Sequence, residues 1–83
     1  PNPFNPKTTI QYNLPEDSHV ALHIYDIKGR MVKTLSNSIR QKGTNSVIWD
    51  GKDSAGNSVS GGIYLCKIQA GDYIQARKII LLK

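Results

Sequence analysis

Apolar and polar residues alternate along most of this chain with a period of two. In Thr8-Thr9-Ile10-Gln11-Tyr12-Asn13-Leu14, the residues Ile10, Tyr12 and Leu14 fall on one face. Successive side chains of a strand point to opposite sides of a sheet, so this pattern predicts a strand with one buried face. His19 to Asp26 predicts a second strand, with Val20, Leu22 and Ile24 inward and His19, Ala21, His23 and Tyr25 outward. Met31 to Leu35 predicts a third. Thr44 to Asp50 predicts a fourth, in which Val47 and Trp49 share a face and Trp49 is the largest core candidate. Ile63 to Gln69 predicts a fifth, with Tyr64, Cys66 and Ile68 inside. Tyr73 to Leu82 predicts the last, and its apolar run Ile79-Ile80-Leu81-Leu82 implies burial on both faces, or on one face plus a covered edge.

Turn residues separate these segments. Pro15-Glu16-Asp17-Ser18 combines a preset φ with side chains that bond nearby backbone. Asp26-Ile27-Lys28-Gly29-Arg30 reads as a short hairpin loop with Gly29 placed for positive φ. Residues 36–42 are polar and read as irregular, with Ile39 as their anchor. Residues 51–62 form the longest loop, and Ala70-Gly71-Asp72 a tight hairpin turn. Pro1, Pro3 and Pro6 remove backbone donors and imply an extended Pro-rich arm over residues 1–7, with Phe4 free to pin it. A start on Pro1 in such a stretch is what a piece of a longer protein would show. No window sustains a period of 3.6. The expected fold is all-β, with six or seven antiparallel strands in two packed sheets.

Composition sharpens this picture. The chain has 83 residues, enough for one domain with a small core. That leaves no room for a catalytic domain beside a cofactor domain. Ile, Val and Thr outnumber Ala and Leu, as a half-buried pleated surface favours. The lone cysteine, Cys66, excludes an internal disulfide. No apolar run approaches the ~20 residues that span a bilayer as a helix. The net charge of +5 is spread over both halves of the chain. A nucleic-acid surface wants a basic stripe with interleaved aromatics, and none is visible, so no nucleic-acid partner and no membrane insertion are expected. The terminal group Arg77, Lys78 and Lys83 around Ile79 to Leu82 is the exception, since a basic, apolar last strand can be read by strand addition.

Candidate chemistry is sparse. His19 and His23 lie four apart on one strand face, with no third group beside them, and read as solvated strand residues. Cys66 reads as a small buried hydrophobe. The loop Asp50-Gly51-Lys52-Asp53-Ser54-Ala55-Gly56-Asn57 is rich in oxygen ligands, and a calcium site there stays open as an alternative. It fails the EF-hand spacing, and Lys52 sits where a ligand should be. Turn capping by Asp and Asn explains the same residues. No catalytic residue, cofactor or metal is expected, and the chain does not read as an enzyme.

Several ordered motifs carry a family resemblance. They are Pro1-Asn2-Pro3-Phe4-Asn5-Pro6, Leu14-Pro15, Ile24-Tyr25-Asp26 with Gly29-Arg30, Trp49-Asp50-Gly51-Lys52-Asp53, Ser60-Gly61-Gly62-Ile63-Tyr64, Ala70-Gly71 and Lys78-Ile79-Ile80-Leu81-Leu82-Lys83. In this order they resemble the type A C-terminal sorting domain of the type IX secretion system, which is related to the immunoglobulin-like domain of flagellar hook-capping proteins. The resemblance implies an immunoglobulin-like sandwich of about seven strands over residues 1–83. It also implies a non-catalytic signal that directs a larger secreted protein of Bacteroidetes and related phyla across the outer membrane. The implied partners are the type IX machinery, a sortase-like peptidase and an N-terminal cargo domain of the same chain. The implied location is secreted or at the cell surface, through the periplasm. Carried over by position, the recognition residues are Pro1 and Pro3 of the arm, Gly62 and Tyr64 of the Gly-x-Tyr motif, and the basic Lys78 and Lys83. A structural or carbohydrate-binding accessory module of a secreted hydrolase is the alternative, and the hook-capping context, where such a domain serves assembly, is a third.

Overall fold

The computed structural model describes residues 7–82. Six strands follow in chain order: β1 (Thr8–Leu14), β2 (Ser18–Tyr25), β3 (Met31–Arg40), β4 (Gly43–Trp49), β5 (Gly62–Ala70) and β6 (Tyr73–Leu81). Four of them form a sheet in the order β3-β2-β5-β6, and β1 pairs with β4 in a second sheet. Every pairing is antiparallel. The β2–β5 ladder, from Val20↔Ala70 to Tyr25↔Leu65, joins two hairpins into the larger sheet.

The core lies between the sheets. β1 contributes Ile10, Tyr12 and Leu14, β2 contributes Val20, Leu22 and Ile24, and β5 contributes Tyr64, Cys66, Ile68 and Ala70. Ile79 and Leu81 of β6 complete it, and Trp49 enters from β4. The Trp49 ring meets Tyr64 edge to face, with centroids 5.0 Å apart at 72°. Its indole Nε1 donates to the Lys52 carbonyl at 3.0 Å, so the one polar atom of this buried ring is satisfied. The inward faces expected for β1, β2 and β5 are the observed ones.

Four expectations change. The family resemblance implied about seven strands, and the sandwich has six, the lower of the six or seven that the alternation predicts. The 51–61 segment is the loop that its turn residues predict, with an isolated bridge, Lys52↔Ser58. Asp53 holds this loop: its Oδ1 accepts from the N–H groups of Ala55 and Asn57 at 3.0 and 2.9 Å, and Gly56 turns the chain at φ 87°. The turn is tied to the larger sheet by the Ser54 N–H, which donates to the Val32 carbonyl of β3 at 3.1 Å. Second, β3 runs five residues past Leu35, and residues 36–40 pair with β2 down to Ser18↔Arg40. Register shifts at Leu22/His23 and Ile24/Tyr25 take up the extra residues. Third, Ile39 anchors nothing and is 77% exposed, while Ser36 is the buried residue of that stretch. Fourth, β6 alternates: Ile79 and Leu81 are buried, but Ile80 and Leu82 are 56% and 78% exposed. An edge strand of an antiparallel sheet has only one covered face, whatever its hydropathy. Lys7 is the one described residue of the expected arm.

Burial pushes the Cys66 thiol up to about 11, from an ordinary 9.0, although the Arg77 guanidinium pulls the other way. Folding therefore favours the neutral thiol. That contribution is complete below the ordinary value and is lost as pH rises through about 11. A disulfide reagent such as DTNB at pH 8 should leave Cys66 unmodified in the native protein and titrate it once urea unfolds the chain. Rapid native-state labelling would show that β5 opens to solvent.

Candidate functional site

The β2–β3 loop is built around one carboxylate. Asp26 Oδ1 accepts from the N–H groups of Lys28 and Arg30, each at 2.9 Å, and Oδ2 accepts Arg30 Nε at 2.9 Å. The Arg30 N–H is the main reason the Asp26 carboxyl lies below its ordinary value; slight desolvation opposes it, and the Arg30 guanidinium and Lys28 N–H add to it. Gly29, at φ 82°, allows the tight turn. This loop holds Ile27 in solvent, 75% exposed. Across from it lie Gly61, Gly62 and Ile63, so that Asp26, Ile27 and these three line a shallow groove floored by Tyr64.

Gly62 opens β5 at φ 144°, a conformation strained for any side chain, and pairs with Leu81. Tyr64 is inside the sandwich at 7% exposure, and its hydroxyl donates to the Ser60 carbonyl at 2.6 Å. Burial raises the pKa of that hydroxyl, and the Asp26 charge adds to the effect. Lys78 pairs with Leu65 and faces outward. The three described members of the sequence-derived recognition set thus share one end of the β5–β6 pair. They share no surface, since Tyr64 belongs to the core. Pro1, Pro3 and Lys83 lie outside the described residues.

Sequence reasoning missed the outer face of the four-stranded sheet. Register places Met31, Tyr25 and Leu65 in one row across β3, β2 and β5, with Lys78 next on β6. Ile63 and Ile80 form the adjoining pair on the same side. Met31, Ile63, Leu65 and Ile80 are each at least 43% exposed, and Tyr25 is half-buried. The signal was available: once Tyr64, Cys66 and Ile68 point inward, Ile63 and Leu65 must point outward. Charge is sorted too. All the described carboxylates, Glu16, Asp17, Asp26, Asp50, Asp53 and Asp72, lie outside the strands, while Lys33, Arg40, Lys67, Arg77 and Lys78 lie within them.

The remaining candidates have structural partners. His23 Nδ1 lies 2.8 Å from Thr34 Oγ1, and His23 meets Tyr25 edge to face at 6.2 Å. In the Asp50–Asn57 loop, Asp50 Oδ1 accepts the Lys52 N–H at 3.1 Å and sits 3.5 Å from Lys33 Nζ. Both carboxylates of the loop are engaged by backbone N–H groups, as turn capping requires. Among the described residues, no three His, Cys, Asp or Glu side chains converge on a metal-sized site. Arg77 spans the open side of the sandwich: its Nη1 donates to the Gln11 carbonyl of β1, and Nη2 reaches Gln75 Oε1 at 3.3 Å.

Strand order, antiparallel pairing and a Trp–Tyr core between two sheets define a small immunoglobulin-like β-sandwich. Within that class, the chain belongs to the FlgD Ig-like domain family, whose sequence pattern matches residues 5–73. The crystal structure of FlgD from P. aeruginosa is 30% identical with a TM-score of 0.73, over 90% of this chain and 58% of that one. FlgD from Xanthomonas campestris, described in terms of the hook capping essential for flagellar assembly, is 27% identical with a TM-score of 0.72, over 93% of this chain and 55% of that one. The chain spans little more than half the length of these structures. No curated protein matches it.

These matches correct the sorting-signal reading. The family is that of the FlgD Ig-like domain and both structures are of FlgD, the one from Xanthomonas campestris being described in terms of hook capping. They overturn the type IX function, its machinery and sortase-like peptidase as partners, and the assignment to Bacteroidetes. The physical reason lies in the motifs. Trp49, Tyr64, Gly62 and the alternating last strand build the sandwich itself, so they are features that any relative of this fold can share.

Proposed function

We propose that the protein is a non-catalytic immunoglobulin-like module of a larger hook-capping protein and serves protein assembly. The family match over residues 5–73 carries this reading. The FlgD of Xanthomonas campestris, similar over 93% of this chain, is described as acting in hook capping. The site chemistry supports it, since the buried thiol, the turn-capping carboxylates and the core tyrosine all act within the fold. Folding of residues 1–83 as one module and placement at the cell surface belong to the same proposal.

Replacing residues 8–81 in the parent protein with a flexible linker tests it. Cells carrying that protein should fail to extend hooks, as seen by electron microscopy, while the remaining polypeptide still accumulates. Hooks of normal length would overturn the reading.

A further inference from the structure

We propose that the outer face of the β3-β2-β5-β6 sheet is a docking surface for a protein segment that combines apolar residues with Asp or Glu. This deepens the assembly reading and rests on it. The surface is continuous: Ile80 pairs with Ile63, Ile63 and Leu65 are same-face neighbours on β5, and Leu65, Tyr25 and Met31 follow across the sheet. At its loop end, Ile63 also lines the groove with Ile27. A contiguous exposed apolar strip on a sheet face marks an interaction site more often than isolated exposed residues do.

Charge selects the occupant. Lys78 sits beside Leu65, and Lys67 lies two residues along β5 on the same face. No strand of this sheet carries a carboxylate, and Asp26, the nearest one at the loop end, is already paired with Arg30 at 2.9 Å. The two lysines are exposed and make no ion pair among the described residues. A segment with apolar side chains over Leu65 and Ile63 would bring its acidic groups to Lys67 and Lys78. A second copy would set lysines against lysines on a chain of net charge +5. An anionic membrane fits less well, because two lysines fall short of the ~4–8 clustered cations of a lipid-binding surface. The tryptophan that could anchor at an interface, Trp49, is fully buried.

The probe is a random 12-residue peptide library displayed on phage and panned against the intact chain. Enriched peptides should combine Leu, Ile or Phe with Asp or Glu. They should shift amide signals of residues 63, 65, 67, 78 and 80. The double variant Lys67→Glu, Lys78→Glu should weaken them about tenfold, and raised salt should do the same. Leu65→Ser should also weaken them, with melting temperatures checked so that lost folding is not mistaken for lost binding. The proposal falls if the enriched peptides lack acidic residues, if the shifts map elsewhere, or if panning yields no binder. It falls equally if sedimentation shows a dimer through this face, or if phosphatidylserine vesicles bind the chain through Lys67 and Lys78. Hook loss with the linker replacement, combined with no peptide binding, would leave the assembly reading standing and remove the docking face alone.

Discussion

Replacing Trp49 with alanine is expected to unfold a large share of the protein at 25 °C. The ring is completely buried and is the largest side chain in the core. It comes from β4 and packs on Tyr64 of β5, so it ties the smaller sheet to the larger one. Large-to-small changes of an aromatic core residue cost about 3–5 kcal/mol. A native domain has only about 5–15 kcal/mol in total, and small domains sit at the low end. The substitution also leaves the Lys52 carbonyl without its 3.0 Å donor, which loosens the 51–61 loop. Trp49→Phe should cost less, because it keeps most of the volume and the contact with Tyr64. The chain has a single tryptophan, so unfolding in urea should be followed by circular dichroism. An alanine variant with the midpoint of the unsubstituted protein would mean that the two sheets hold together without this ring.

Tyr64→Ala should be nearly as damaging, at about 3–5 kcal/mol, because it removes the ring that Trp49 packs against. Tyr64→Phe separates two roles. It keeps the ring and deletes only the 2.6 Å bond to the Ser60 carbonyl, so a loss of about 1 kcal/mol is expected. If the hydroxyl served a partner instead of the loop, Tyr64→Phe would leave thermal stability unchanged and alter binding alone. Stability loss in the order Ala, then Phe, identifies Tyr64 as a structural residue.

The inward face was legible because alternation is a local property. Ile10, Tyr12 and Leu14, or Val20, Leu22 and Ile24, announce one buried side without knowledge of the partner strand. The ends of β3 and the faces of β6 were not legible, because they depend on position in the sheet. Residues 36–40 carry little hydropathy, yet they pair because β2 lies beside them. Ile79 to Leu82 is uniformly apolar, yet half of it faces solvent because no layer covers that side. The 51–61 loop, by contrast, was legible, because Asp53 and Gly56 are local turn residues. The apolar strip on the outer face needed register, since Met31 and Ile80 are neither sequence neighbours nor on paired strands. The motifs of the resemblance located the fold well and the function poorly, because core and turn residues answer to packing first.

The separation of charges between turns and strands has a consequence for solubility. β3 and β6 are the edges of the larger sheet, with β3 covered in part where Ser54 bonds to the Val32 carbonyl, and an unpaired edge is a template for polymerisation. Two copies approaching edge to edge would bring together the Arg40 side chains of β3, or Arg77 and Lys78 of β6, with no strand carboxylate to neutralise them; Lys33 is already paired with Asp50. Cationic edges should thereby keep concentrated solutions from stacking into ribbons. This protection is electrostatic, so it should fade as added salt shortens the screening length from ~10 Å at 0.1 M to ~3 Å at 1 M. The protein should then store best in dilute buffer, and light scattering should rise along a salt gradient.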